Sequence, residues 1–460
     1  MTTVDAVANR ERWLDGLEPA PVPRRWWQRL LRSPLFWMTV VLLPLYAFFL
    51  YDQYWMLHPS ETFPDGSMSL GISNEAFKKA GYWAMWTALA YSVLFIWLDR
   101  FRASQPLVWL LTFLWGACAS TWMSIYVNSW TAQMMSTTEA DAFAGSRSAV
   151  FSAPFIEELT KASILILLVI LWRNKIVSRL SIVALAGLSA VGFAFVENII
   201  YYGRVWMQAT HDITIANPDE TMMELVLLRG VYTSFGHPLF MLMTAGGLAI
   251  GLGARSKIVR VLAPFGGFLL ACAGHMLFNG LASTNPTENL RRPFFLALAF
   301  VAVVIISLIA SVIGNGQIIR ARLGDFEREG WLSKREVELF GKPWQRVKLI
   351  WFSIFRGPKT WWRTTKLIRR VTELAYLRHS MTRGTVGAAG YSRARDLLHE
   401  IDGLRRVALT DTKGLRLIER KPKAPKAALP DGATPGPLTA PYPPPQSPGP
   451  AGVGGNWPGR

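Results

Sequence analysis

The stretch AVFSAPFIEELTKASILILLVILW, residues 149–172, decides how this sequence folds. As a helix, its 24 residues are long enough to cross the roughly 30 Å apolar core of a bilayer. Glu157, Glu158 and Lys161 nevertheless lie within it. Because an ionisable side chain inside a membrane is costly unless it is paired or hydrated, these three residues indicate a functional site.

Seven further stretches are similarly apolar, and the eight together predict an all-α, polytopic membrane helix bundle. The chain has 460 residues, of which 51% are hydrophobic and 17% charged, a composition too apolar for a soluble protein of this length. The eight predicted spans are 35–51, 80–98, 106–127, 149–172, 181–202, 230–253, 258–283 and 293–314. The first lacks a small-residue cleavage site, so we expect a retained anchor and not a signal peptide. Cys118 and Cys272 both fall within spans, which argues against a disulfide framework.

The distribution of Lys and Arg predicts that both termini are cytoplasmic. With that orientation the inner connections hold 14 Lys and Arg, against 7 in the longer outer connections. The predicted organisation is a cytoplasmic N-terminal segment (1–34), an eight-helix transmembrane domain (35–314), a basic amphipathic cytoplasmic region (315–420) and a disordered tail rich in Pro and Gly (421–460).

The basic cytoplasmic region mixes aromatic side chains with cations. The aromatic residues are Trp344, Trp351, Phe352, Phe355, Trp361 and Trp362, and the cations among them are Arg346, Lys348, Arg356, Lys359 and Arg363. This mixture suits the headgroup region of an anionic bilayer leaflet, and the alternative is an amphipathic helix packed on the membrane domain. No nucleic-acid recognition motif accompanies the net charge of +18, so we expect no nucleic-acid partner.

Ionisable residues away from the ends of the spans are few, and they fall on four consecutive spans. They are Glu157, Glu158, Lys161, Glu197, His237 and His275. At a rise of about 1.5 Å per residue, the carboxylates and imidazoles lie roughly 8–12 Å from the outer ends of their helices. The sequence therefore predicts a single shared polar site in the outer leaflet.

Local spacing adds detail to this site. Lys161 follows Glu157 by four residues and Glu158 by three, so its ammonium can pair with either carboxylate. Adjacent residues diverge by about 100° around a helix, so only one glutamate faces the reaction centre, and the sequence leaves open which. Asn279 lies one turn after His275, where its amide could orient a substrate carbonyl or a ring nitrogen.

These residue types are suited to hydrolysis. Two imidazoles and a carboxylate can hold a zinc ion with a free position for water, and a further glutamate can serve as general base. The sequence contains no His-Glu-x-x-His stretch, so the site must be assembled from different helices.

Two segments carry a resemblance to a known family. Residues 155–161, FIEELTK, resemble the EExxK motif of the PrsW family of intramembrane proteases, and residues 192–198, GFAFVEN, resemble its FxxxEN motif. His237 and the His275 to Asn279 element match the later histidines of the family in order and spacing. The resemblance covers roughly residues 83–314.

The resemblance implies a function and a location. It implies a relation to CAAX-type prenyl endopeptidases and bacteriocin-immunity membrane proteins, in which the second motif usually has His where this chain has Glu197. It also implies cleavage of a membrane protein or peptide, such as an anti-sigma factor, in a bacterial plasma membrane. Related enzymes work either as zinc hydrolases or as glutamate proteases, and the sequence is compatible with both.

From the residues and the resemblance together, we predict Glu157 or Glu158 as the catalytic base. Glu197, His237 and His275 are then predicted as ligands of a Zn²⁺ ion or as groups that position water, with Lys161 and Asn279 as supporting residues of the site.

Three other hypotheses deserve comparison. A proton- or ion-coupled transporter also uses intramembrane Glu, His and Lys, but this sequence shows no convincing internal repeat. A catalytically silent scaffold with a basic tail is the second alternative. A serine mechanism at Ser189, in a Gly-x-Ser-x pattern, is not favoured, because Ser189 lies two turns deeper than Glu197.

Overall fold

The protein is described by a computed structural model that covers residues 25–62, 68–99, 106–138, 141, 143–172, 179–254, 256–284, 291–382 and 388–408. The described residues are almost entirely helical, which confirms the predicted all-α class. Two strands of two residues each, β1 (Glu61–Thr62) and β2 (Met68–Ser69), pair antiparallel. Most of the predicted N-terminal segment and the whole of the predicted disordered tail lie outside the described residues.

The helices of the membrane region follow one another with short connections. They are α1 (Trp26–Leu31), α2 (Pro34–Leu57), α3 (Asn74–Leu98), α4 (Pro106–Leu114), the π-helix π1 (Trp115–Ser120), α5 (Thr121–Met134), α6 (Ala144–Phe151), α7 (Ala153–Trp172), α8 (Arg179–His211), α9 (Pro218–Leu227), the π-helix π2 (Leu228–Tyr232), α10 (Gly236–Gly253), α11 (Lys257–Thr284) and α12 (Arg291–Arg328).

Within the described residues, seven helical segments are long and apolar enough to cross a membrane. They are Pro34–Leu57, Asn74–Leu98, Pro106–Met134, Leu180–His211, Pro218–Gly253, Lys257–Ser283 and Ala297–Arg328. Each overlaps one of the eight predicted spans.

The remaining predicted span contains α7, which is 20 residues long, or about 30 Å. It falls outside the seven because Glu157, Glu158 and Lys161 lie within it. All three side chains are buried inside the bundle, so none of them faces lipid. The charged residues of the site are therefore the reason why seven candidate spans are found among the described residues, against eight predicted from the sequence.

Glycine contacts bring two pairs of helices close together. A Cβ atom at Gly116 of π1 would lie 1.9 Å from the carbonyl oxygen of Ser189 in α8. In α10, a Cβ atom at Gly247 would lie 2.2 Å from the carbonyl oxygen of Ala263 in α11. Small residues allow membrane helices to approach this closely. Since α10 carries His237 and α11 carries His275, the second contact fixes the two histidines relative to each other.

Four helices follow α12; the first three pack on the end of α12 that follows its apolar run, and the fourth packs on the third. They are α13 (Lys334–Gly341), α14 (Pro343–Ile354), α15 (Pro358–Thr382) and α16 (Ala388–Ala408). Side chains such as Leu323, Phe340, Leu367 and Leu397 form their common buried core. We call residues 315–382 and 388–408 the tail unit.

One cation of the predicted membrane-facing set lies elsewhere. Arg346 is 3% exposed, and its guanidinium donates hydrogen bonds to the Thr372 hydroxyl and the Ile368 carbonyl. It ties α14 to α15 and is not available to lipid headgroups.

Candidate active site

Helix α7 supplies Glu157, Glu158 and Lys161 to the predicted polar site. Glu158 and Lys161 are completely buried, and Glu157 is 6% exposed. The Lys161 ammonium donates to Glu158 Oε1 at 2.9 Å and to Glu157 Oε2 at 3.4 Å. These contacts follow from the three- and four-residue spacing on one face of a helix. The buried cation thus offsets the charge of both carboxylates.

The two adjacent glutamates face different surroundings. Glu157 lines a cavity of about 620 Å³, whereas Glu158 lies behind the wall of this cavity. Asn128 donates to Glu157 Oε1 at 3.3 Å from the same cavity wall. The cavity is also lined by the other polar residues of the site, namely Glu197, Arg229, His237, His275 and Asn279. A molecule in the cavity can therefore reach Glu157 but not Glu158.

His237 lies in the first turn of α10, with one partner at each ring nitrogen. Its Nδ1 is 3.0 Å from the Lys161 ammonium, and its Nε2 is 2.7 Å from Glu197 Oε2. An ammonium can only donate, so Nδ1 is the acceptor and Nε2 carries the proton that is donated to Glu197. This arrangement fixes the tautomer and leaves the Nδ1 lone pair on the side of α7.

His275 lies near the middle of α11 and is held in a similar way. Its Nδ1 is 3.1 Å from Glu158 Oε1, and its Nε2 is 3.9 Å from Glu157 Oε2. Since an ionised carboxylate only accepts, Nδ1 donates to Glu158 and Nε2 faces Glu157. The ring stacks on Phe240 with centroids 4.8 Å apart, which restricts its rotation.

These contacts produce a group of side chains that can hold a metal ion. Ligand atoms of Glu157, His237 and His275 all lie within 4.8 Å of one another. Two imidazole nitrogens and one carboxylate oxygen are a frequent ligand set for catalytic zinc. In each imidazole, the other ring nitrogen donates its N–H to a carboxylate. Such a hydrogen bond usually accompanies a histidine that binds a metal. The donor set therefore fits a metal ion once the Lys161 ammonium, which lies 3.0 Å from His237 Nδ1, turns fully toward Glu158.

This geometry differs from the predicted ligand set in one residue. Glu197 was expected beside the two histidines, but Glu157 occupies that place. Glu197 Oε2 instead accepts hydrogen bonds from the opposite ring nitrogen of His237 and from Arg229, the latter at 2.6 Å. Glu197 therefore contacts the ring nitrogen of His237 opposite to the one that faces Lys161.

Arg229 is a residue that sequence analysis missed. It lies in the π-helix π2, donates to Glu197 and to Asn198 Oδ1 at 3.1 Å, and packs 3.9 Å from the ring centroid of Tyr201. From the sequence it counts only as an outer charge next to a predicted span. Its position eight residues before His237 is the one signal that could have identified it.

Two further predicted residues occupy defined positions. The Asn279 amide reaches the cavity wall but donates to the Ala149 carbonyl at 2.8 Å, which ties α11 to α6. The Ser189 hydroxyl is completely buried and donates to the Lys161 carbonyl at 2.9 Å. Ser189 therefore supports α7 from behind, in agreement with the low weight given to a serine mechanism.

Comparison with known proteins identifies one family. Residues 105–309 match the family model described as PrsW family intramembrane metalloprotease. No match is found among curated proteins or among solved structures. The resemblance predicted from the two motifs is thus confirmed: over residues 105–309, which contain every side chain of the buried cluster, the chain is similar to the PrsW family of intramembrane metalloproteases.

Proposed function

We propose that this protein is an intramembrane endopeptidase whose reaction centre consists of Glu157, His237 and His275. One observation carries the proposal: three potential ligand atoms from three helices converge within 4.8 Å at the wall of a cavity inside an apolar helix bundle. The similarity to a metalloprotease family supports hydrolysis as the reaction.

Within this proposal Glu157, His237 and His275 would hold a Zn²⁺ ion. When bound, zinc lowers the pKa of its water to about 7 and polarises the carbonyl of the scissile bond. Glu157 lines the cavity and Glu158 does not, which favours Glu157 as the carboxylate that meets substrate and water.

The surrounding residues orient this centre. Glu158 restrains His275, and Glu197 restrains His237, through the hydrogen bonds at their second ring nitrogens. Arg229 fixes Glu197 in turn. Lys161 keeps Glu158 ionised by direct contact, and Asn279 holds the end of α11 against α6. These groups position the reacting residues.

The proposed substrate is a peptide segment of another membrane protein. A cavity of about 620 Å³ is large enough to take several residues of an extended chain, but not a folded domain. On this proposal both termini are cytoplasmic, which the asymmetry of Lys and Arg supports, and the reaction centre lies in the outer leaflet of a bacterial plasma membrane. A single-pass protein cut near its outer side, as an anti-sigma factor is, fits this position.

Cleavage in cells tests the proposal. Cells that express the wild-type chain or Glu157→Ala are compared by mass spectrometry for new N-termini in membrane proteins, with Ser189→Ala as a control in the same bundle. We expect at least one new N-terminus that depends on Glu157 and persists in the control. A transporter or a scaffold would give identical N-termini in all three strains, and that result would refute the proposal.

A further inference from the structure

The tail unit contains a helical hairpin with an unusual surface. Helices α14 and α15 are joined through Gly357, whose φ of +99° allows a sharp reversal that other residues rarely adopt. At this turn the side chains of Trp351, Phe355 and Trp362 are 60%, 74% and 59% exposed. Large aromatic side chains grouped in this way on a surface mark a contact with a partner or a membrane.

From its base to the middle of α15, the hairpin carries charge of one sign. Residues 339–372 contain nine Lys and Arg and no Asp or Glu. Two of the cations lie over exposed rings: the Lys348 ammonium is 5.8 Å from the Trp344 ring centroid, and the Lys366 ammonium is 5.2 Å from that of Trp362. Aromatic rings flanked by cations are suited to the boundary between anionic headgroups and acyl chains.

Two contacts define which way the hairpin points. Arg378, in the last turns of α15, donates to Asp325 near the end of α12 at 2.8 Å. Pro343, the first residue of α14, lies beside Gly316 of α12, where an added Cβ atom would be 3.5 Å from the Pro343 side chain. Helix α14 therefore begins next to the point where the apolar run of α12 ends. Helix α15 therefore runs along α12 with its N-terminus directed toward the membrane.

The tip of the hairpin reaches the level of the bilayer. The Thr372 hydroxyl accepts a hydrogen bond from Arg346, which lies in the first turn of α14. Thr372 therefore lies close to the level of Gly316. Trp362 precedes Thr372 by ten residues, or about 15 Å of helix, in the direction of the membrane. The predicted apolar run ends at residue 314, about 3 Å from the level of Gly316, so the exposed ring of Trp362 lies about 12 Å past that end, within the cytoplasmic leaflet.

From these observations we propose that the α14–α15 hairpin is a membrane-surface anchor that inserts its aromatic tip into the cytoplasmic leaflet and binds anionic lipid headgroups through Lys348, Lys359 and Arg363. The anchor is separate from the reaction centre, so the two proposals can fail independently. It would hold the tail unit against the membrane whichever substrate is cut.

Spin-label accessibility in nanodiscs tests the anchor on the full chain. A nitroxide is attached at Phe355→Cys or, as a control, at Lys334→Cys, an exposed position at the start of α13. The native Cys118 and Cys272 are buried and do not compete for the label. Discs contain one protein copy in either phosphatidylcholine alone or an equal mixture of phosphatidylcholine and phosphatidylglycerol.

In discs that contain phosphatidylglycerol, we expect the nitroxide at position 355 (label 355) to collide several-fold less often with a water-soluble nickel chelate than the nitroxide at position 334 (label 334) does. This protection should decrease in phosphatidylcholine alone and in the variant K348Q/K359Q/R363Q. The variant R328Q/K334Q/R335Q, labelled at 355, removes three charges at the other end of the unit and should keep the protection. Equal collision rates for labels 355 and 334 would overturn the proposal. Protection of label 355 that is the same in both kinds of disc, and so does not depend on lipid charge, would overturn it too.

Discussion

At the scale of single residues, Glu157 and Glu158 show how adjacent identical side chains take different tasks. They diverge around α7, so that Glu157 faces the cavity while Glu158 is enclosed between Lys161 and His275. A carboxylate enclosed by two partners is well placed to orient them but cannot meet a substrate.

Removing the charge of each glutamate should therefore have different consequences. Glu157→Gln should lower kcat/KM by about 100-fold or more, with loss of bound metal, because a residue of the reaction centre is removed. Glu158→Gln should lower it by about 10- to 100-fold, with metal retained at reduced affinity, because only the orientation of His275 is affected. Peptidase kinetics and metal content measured on both purified variants check this, and equal loss of metal in the two would contradict it.

Lys161 offers a prediction about stability. Lys161→Met leaves Glu158 buried without its main counterion, which should destabilise the fold by about 3–5 kcal/mol. Lys79→Met makes the same chemical change at a partly exposed ion pair with Asp219, where the expected loss is about 0–1 kcal/mol. Unfolding of the purified proteins in detergent compares the two, and an equal loss of stability would show that the buried pair has no special weight.

Arg229 tests whether the outer layer of the site matters for the reaction. Arg229→Gln frees Glu197 and thereby His237, so we expect kcat/KM to fall about 10- to 100-fold while the protein stays folded. Arg204→Gln, at another cation lining the cavity, serves as control and should have a smaller effect. Circular dichroism confirms folding, and unchanged kinetics in Arg229→Gln would argue against a positioning role.

The sequence limits what can be predicted at this scale. The six ionisable residues within the predicted spans stand out because charges are rare in apolar spans. The sequence predicts Glu197 beside the two histidines, whereas the converging ligand atoms include one of Glu157. Which glutamate joins the histidines depends on which nitrogen of His237 faces which helix, and residue spacing does not contain that information. Arg229 escapes notice because it lies one residue before a predicted span, whereas in the structure it belongs to the π-helix π2 and lines the cavity.

At the scale of helices, glycine contacts determine how far apart the histidines lie. Helices α10 and α11 each carry a pair of adjacent glycines, and only one member of each pair faces the other helix. Gly247 and Gly267 lie in the contact, whereas a Cβ atom at Gly246 or Gly266 would have no neighbour within 4 Å.

This asymmetry gives a matched pair of substitutions. Gly247→Ala should force α10 away from α11, cost about 1–3 kcal/mol and weaken metal binding, because His237 and His275 separate. Gly246→Ala, one residue earlier, should leave both properties nearly unchanged. Thermal unfolding and metal titration of the two variants decide the matter, and equal behaviour would contradict the close contact of the helices.

At the scale of the whole molecule, apolar runs predict the helices well, since seven of the eight predicted spans overlap helices long and apolar enough to cross a membrane. The tail unit is less predictable. Its amphipathic helices can be read from periodicity, but the turn of Arg346 into the interior depends on contacts with α15 that are distant in sequence.

The central claim is that Glu157, His237 and His275 hold one metal ion at the wall of the cavity. Elemental analysis by mass spectrometry of the purified chain tests it most directly, with Glu157→Gln, His275→Gln and the control Ser189→Ala prepared in parallel. We expect one zinc ion per chain in the wild type and in Ser189→Ala, and strongly reduced zinc in the other two. A wild-type protein that contains no metal and still cleaves peptides in the presence of a chelator would contradict it.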